Sequence, residues 1–375
     1  MVDEQYPVID CDIHQFLPNL QALYPYLSRA RQEDLAQYGL RLPGAGGYLN
    51  GGDRGYRIDA WPEDGGRPSS TVAMLREQHL DVYPIEYGIL LGQDLRGIPL
   101  LPDADFAAAL ATAYNDWMVE HWLAQDDRLR GAAFIASQQP AQAAQEIERA
   151  AAHPGVVAVV GINGVRVPYG QRVYDPIFAA CEGLGLPFMI HTGGEGTLGQ
   201  PTPVGYPSYY IEIRQARQMG YMAHLASMVF EGLFTRFPRL QVVFVEGGYT
   251  WLVPYLWKLD SDWRGLRRHT PWVERAPSEY ILEHCTFTSQ PMEMAERARQ
   301  LSTVFEWAHA DQTLMFASDY PHWDFDSPET SLPPMPEPMR RRVLAETARE
   351  LFKLPPRVLA NASAVPESAR AENPD

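Results

Sequence analysis

Eight short apolar runs rich in β-branched residues recur along this chain, and longer segments of helical periodicity lie between them. The runs are VIDCDIH (8–14), IEYGILLG (85–92), LRGAAFIAS (129–137), VVAVVGINGV (156–165), LPFMIHTG (186–193), LQVVFVEGG (240–248), EHCTFTSQ (283–290) and TLMFASDYPH (313–322). Strands this uniformly apolar are buried on both faces, and their alternation with helices implies parallel neighbours joined by crossovers. The spacing predicts an α/β chain folded as a (β/α)8 TIM barrel, with a doubly wound open sheet as the alternative. Three helix candidates carry terminal signals: "SSTVAMLREQHLDV" opens with a Ser cap, "PAQAAQEIERAAAH" has Pro at its first position, and "YDPIFAACEGLG" ends on Gly. One domain is expected over residues 1–360, with a flexible tail at 361–375.

Two stretches break the rhythm. Residues 38–70 and 194–210, dense in Gly and Pro, leave from the ends of strands one and five. In a barrel such loops build the active-site mouth. Charge narrows the partners: 31 Lys plus Arg against 47 Asp plus Glu give a net −16, which argues against nucleic acid and anionic membranes. Cys11, Cys181 and Cys285 stand far apart in apolar segments and read as reduced, buried thiols. The acidic start "MVDEQYPV" has no signal-peptide character and no apolar run reaches bilayer length, so a soluble cytoplasmic protein is expected.

The barrel reading makes a sharp demand, since its catalytic side chains belong at the C-terminal ends of several strands. Strand one ends in Asp12 and His14, strand five in His191, strand six in Glu246, strand seven in Gln290, and strand eight in Asp319 with His322 just beyond. Along strand one, Asp10, Asp12 and His14 alternate so as to share a face. Burying them is costly unless a cation compensates. Singly each is weak: a lone His after an apolar strand is more often structural. Jointly they predict a metal centre of Asp12, His14, His191 and Asp319, whose nitrogen and oxygen donors suit Zn, Fe or Mn, with one or two ions per chain. Seven further histidines, at 79, 121, 153, 224, 269, 284 and 309, read as structural or surface residues, His224 being the least certain of them.

A metal-activated water with Asp319 or Glu246 as proton acceptor and donor, and His322 at the oxyanion, predicts hydrolysis of an ester, thioester or amide. The mouth segments "GYLN", "GYRIDAW", "GYPSYY" and "YTWLVPYLW" suit a largely apolar or aromatic small molecule. Arg166, Arg54 or Arg57 are candidates to pair a substrate carboxylate, and Gln290 to contact the substrate.

"GLPFMIHTG", "RFPRLQVVFVEGG", "LMFASDYPH" and the strand-one Asp-x-His resemble the amidohydrolase superfamily, in the branch of aminocarboxymuconate-semialdehyde and resorcylate-type decarboxylases. The likeness runs through "NDWMVEHW", "RLRGAAFIASQQP" and "ETARELFKL", roughly residues 8 to 355. It implies a barrel, often a homodimer, with a divalent metal at its mouth. The strand-one His-x-His of the family corresponds to Asp12 and His14, the strand-five metal histidine to His191, the strand-eight aspartate to Asp319, and the strand-six histidine to Glu246. As an anion, Glu246 is unable to act as an imidazolium does, which favours hydrolysis narrowly over non-oxidative decarboxylation of an aromatic or unsaturated acid. A third reading is a metal-free barrel that binds a small molecule.

Overall fold

The computed structural model describes residues 6–43 and 55–357. Eight parallel strands follow one another in sheet order: β1 (Val8–Ile13), β2 (Ile85–Leu90), β3 (Leu129–Phe134), β4 (Val156–Ile162), β5 (Phe188–His191), β6 (Val242–Val245), β7 (Cys285–Thr288) and β8 (Leu314–Met315). The sheet curls on itself, and β8 meets β1 through Cys11 N to Phe316 O at 3.0 Å, Asp319 N to Asp12 O at 3.1 Å and His14 N to Tyr320 O at 2.8 Å. The closed alternative wins over the open sheet, and all eight expected strands exist.

The strands are shorter than the apolar runs that announce them. TLMFASDYPH yields a two-residue strand because the chain leaves the ladder to present Asp319 at φ 59°. Val156–Ile162, buried throughout, shows the expected two-sided burial. Between strands and helices, Phe178, Phe188, Phe244 and Phe287 are among the largest fully buried side chains. Each such burial stabilises by about 1.5–3 kcal/mol.

Helix signals hold with one change. Pro140 opens Pro140–Ala150, and Gly185, in the left-handed region at φ 65°, closes Asp175–Leu184. The segment opening SSTVAML is capped by Thr71, whose hydroxyl accepts from Met74 N, in place of the expected Ser, because only the residue directly before the first helical position reaches that amide. The end of the first insertion folds over the mouth: Arg57 N bonds Pro321 O and Trp323 N bonds Gly55 O, both at 3.0 Å. "GYLN", Arg54 and the tail 361–375 lie outside the described residues. No helix among the described residues is long and apolar enough to cross a membrane.

Candidate metal centre

Asp12 and His14 stand at the end of β1, His191 ends β5, and Asp319 follows β8, so three strands distant in sequence deliver donors to one point. His14 Nε2 lies 3.1 Å from Asp12 Oδ1 and 2.9 Å from Asp319 Oδ1, while His191 Nε2 lies 3.4 Å from Asp12 Oδ2. All four side chains are essentially inaccessible. Both Asp12 oxygens, both Nε2 atoms and Asp319 Oδ2 have no hydrogen-bond partner. Five orphaned buried polar atoms around one point are costly in any protein unless a cation gathers them. Asp12, His14 and His191 form one group able to hold a metal, and His14, Asp319 and His322 another.

The histidine rings are set for that task from behind. His14 Nδ1 donates to Gly92 O at 3.0 Å and His191 Nδ1 to Thr192 O at 2.8 Å, which leaves each Nε2 lone pair facing the cluster. Gly92 is required there: its φ is 62°, and a Cβ would sit 2.4 Å from the Tyr114 hydroxyl. Charge agrees with geometry. Burial alone would raise the Asp12 carboxyl, yet His14 and His191 outweigh it and hold Asp12 far below the usual carboxylate range. Burial works against a charged His14 too, but Asp12 and Asp319 push it up to about 10. Without a metal, a proton on His14 serves as the counter-charge, and that proton and a metal exclude one another on Nε2.

Asp10 does not join the cluster expected from strand alternation. Register shifts flank this part of β1, and Asp10 instead accepts from Ser318 N at 2.9 Å, from the Ser318 hydroxyl, and pairs with His79 Nε2 at 2.6 Å. It thereby fixes the residue preceding Asp319.

Glu246 follows β6 at φ 59°, with its Oε2 3.6 Å from His191 Nε2. Both oxygens are committed, one to Arg217 and the other to the Thr192 hydroxyl. Burial opposes its charge, but Arg217 prevails, with His191 adding to it, and the carboxyl is held well below its ordinary value. An anion locked in this way is unsuited to donating a proton. Its pairing depends on the helix Tyr210–Phe230, which sends Arg214 to Asp324, Arg217 to Glu246 and the Tyr221 hydroxyl to Val245 O from successive turns of one face. The glycine after Glu246 admits this helix: a Cβ on Gly247 would meet the Tyr221 ring at 2.3 Å. Arg217 gives no sequence signal, being one of two arginines on an ordinary helix.

His322 Nδ1 pairs with Asp319 Oδ1 at 2.6 Å, its ring 4.7 Å from that of His14 and stacked on Tyr56 at 5.2 Å. Gln290 is fully buried beyond β7 and donates to Asp324 O at 3.0 Å. Arg166 is exposed, and Arg57 is spent on Asp59 with its guanidinium 4.5 Å over Phe325, so neither is free as a carboxylate clamp within the cluster.

His224 is structural. Its Nδ1 accepts from Tyr169 N at 3.1 Å, its Nε2 donates to Asn163 O at 2.8 Å, and burial lowers its pKa to about 4. The unfolded imidazole takes a proton near 6.5 while the folded one refuses it, so stability declines as pH drops from about 6.5 to about 4. Replacing His224→Gln, which supplies one donor and one acceptor, should remove about 2 kcal/mol or more of that decline, read from urea midpoints at about pH 7 and pH 4.5.

The sequence profile of the family described as Amidohydrolase matches residues 9–354. The chain belongs to this family. Among its relatives, the gamma-resorcylate decarboxylase of Rhizobium radiobacter is 26% identical over 290 residues, covering 73% of this chain and 85% of that protein. The 5-carboxyvanillate decarboxylase of Sphingomonas paucimobilis shares the fold at TM-score 0.66 and 21% identity, covering 93% of this chain and 99% of that one. A dihydroxybenzoic acid decarboxylase from Polaromonas sp. JS666, solved with manganese and the inhibitor 2-nitroresorcinol, matches at TM-score 0.63 and 20% identity over 93% of this chain and 98% of that one. These relatives overturn the expectation of ester, thioester or amide hydrolysis: they are decarboxylases of aromatic acids. The narrow preference rested on Glu246 lacking a cationic role, and it did not take account of Arg217, which places a cation beside that carboxylate.

Proposed function

We propose that the chain is a metal-dependent carboxy-lyase that removes carbon dioxide, without oxidation, from an aromatic carboxylic acid. The observation that carries this reading is the match to gamma-resorcylate decarboxylase over 73% of the chain, joined to a cluster of orphaned donors at the barrel mouth. Asp12, His14, His191 and Asp319 would hold the ion, and manganese, found in the Polaromonas protein, suits two imidazoles with two carboxylates. When bound, a divalent cation supplies Lewis acidity toward the oxygens of a substrate.

The chain's own groups supply the rest. Decarboxylation of this kind exchanges carbon dioxide for a proton: a proton reaches the ring carbon, the bond to the carboxylate carbon breaks, and its electron pair restores the aromatic ring. Asp319 and His322, paired at 2.6 Å, are the groups placed to hold and pass that proton. Glu246, kept anionic by Arg217, stays out of the transfer and fixes the mouth beside His191. Tyr56, stacked on His322, and Trp61, 6.1 Å from Tyr56, offer aromatic walls.

The manganese-loaded protein should convert 2,6-dihydroxybenzoate or 5-carboxyvanillate with one carbon dioxide released per acid consumed. Chelation should stop this and added manganese restore it. Loaded protein that leaves these acids and simpler hydroxybenzoates intact overturns the reading.

A further inference from the structure

We propose that Arg96 anchors the carboxylate of the aromatic acid at this site. The inference rests on the decarboxylase reading for the identity of the ligand, but its geometry stands apart from the reaction.

Among the described residues five arginines reach the barrel mouth, and four are already neutralised. Arg57 pairs with Asp59, Arg67 with Asp94 at 2.7 Å, Arg214 with Asp324, and Arg217 with Glu246. Arg96 forms no ion pair among the described residues. It sits in the loop after β2, half-buried, where a Cβ on Gly193 would lie 3.8 Å from its own Cβ. Its neighbouring carboxylate, Glu246, feels its charge but is bonded to Arg217 and the Thr192 hydroxyl, so the Arg96 donors are left for another anion.

The one hydrogen bond it makes among the described residues is one that a loaded site cannot keep. Arg96 Nη1 lies 3.1 Å from His191 Nδ1, a distance that is favourable only if that nitrogen offers a lone pair. A guanidinium has donors and no acceptor. Metal ligation through Nε2 puts the ring proton on Nδ1, where Thr192 O accepts it at 2.8 Å. In that state Arg96 faces an N–H and loses its acceptor, one imidazole ring away from the orphaned donors. A planar carboxylate satisfies its fork with two parallel hydrogen bonds. "GQDLRG" carries no sequence motif, so only the pairing of its four neighbours singles this arginine out.

The test separates carboxylate recognition from ring recognition. Arg96→Gln should raise KM for 2,6-dihydroxybenzoate about tenfold or more, while inhibition by resorcinol, the same ring without its carboxylate, moves by less than about twofold. Arg96→Lys should recover part of the loss. Manganese affinity, measured by titration of the metal-free protein, should be unchanged or tighter, because the competing contact to Nδ1 is gone. A wild-type KM in Arg96→Gln, or equal weakening of resorcinol and the acid, overturns the anchor and leaves the decarboxylase reading standing. If the wild type turns over no aromatic acid, calorimetry with benzoate and 2,6-dihydroxybenzoate on the manganese-loaded protein reads the anchor alone. Binding that Arg96→Gln abolishes then supports it while the reaction falls, and absence of binding to the wild type overturns it.

Discussion

Asp319→Asn should keep the barrel and lose about a thousandfold or more in turnover. Asparagine has nearly the same shape and tolerates the left-handed backbone that Asp319 adopts at φ 59°. The seam bond from its amide to Asp12 O at 3.1 Å survives, so the barrel should stay closed, although the metal-free protein loses the carboxylate that faces a protonated His14. What disappears is the negative charge between His14 and His322, and with it both a metal donor and the acceptor of the 2.6 Å contact to His322 in its ionised form. Carbon dioxide release and metal content measured on one preparation separate the two losses. Wild-type turnover in this variant removes Asp319 from proton transfer.

The second large effect is on stability. Arg217→Met leaves the Glu246 carboxylate buried without its cation, and breaking a buried pair in this way costs about 3–5 kcal/mol. Adding Glu246→Gln should recover most of that, because the amide oxygen still accepts from Thr192 and no charge remains to be paired. The pH dependence has a definite sign. In the native pair the Glu246 carboxyl is held below the ordinary glutamate value of 4.5, so the stabilisation is fully present above about pH 4.5 and fades as pH falls toward the depressed folded value. The penalty of Arg217→Met should therefore be largest near neutrality and shrink in acid. Denaturant midpoints for both variants at two pH values check this, and an equal penalty at both overturns the assignment of Arg217 as the counter-ion.

The fold was largely legible because a parallel barrel buries both faces of each strand, which writes eight apolar runs into the sequence. Strand ends were less so: site residues such as Asp319 and Glu246 leave the ladder in left-handed conformations that apolar content does not announce. That Asp12, His14, His191 and Asp319 converge was readable from position alone, since each is a polar residue at the end of a buried strand. Asp10 was misplaced because period-two alternation assumes an unbroken register, and β1 shifts register around it. Arg96 and Arg217 escaped because an arginine on a loop or helix looks alike whether it pairs in solvent or with a buried carboxylate. Arg166, read as a clamp from its place after strand four, is exposed and makes no contact with the buried cluster among the described residues. The choice of reaction failed where one residue was weighed without its neighbour.

Two of the three bonds that join the first strand to the last come from the residues that carry the orphaned donors: His14 N to Tyr320 O and Asp319 N to Asp12 O. Two of the proposed donors belong to the start of the polypeptide and two to its second half, so no half-length fragment carries the whole proposed set. If these residues hold the metal as proposed, its capture should report the final stitching of the cylinder. In a refolding time course, a cobalt or manganese spectroscopic signal should rise with the slowest phase, after helical content has already returned.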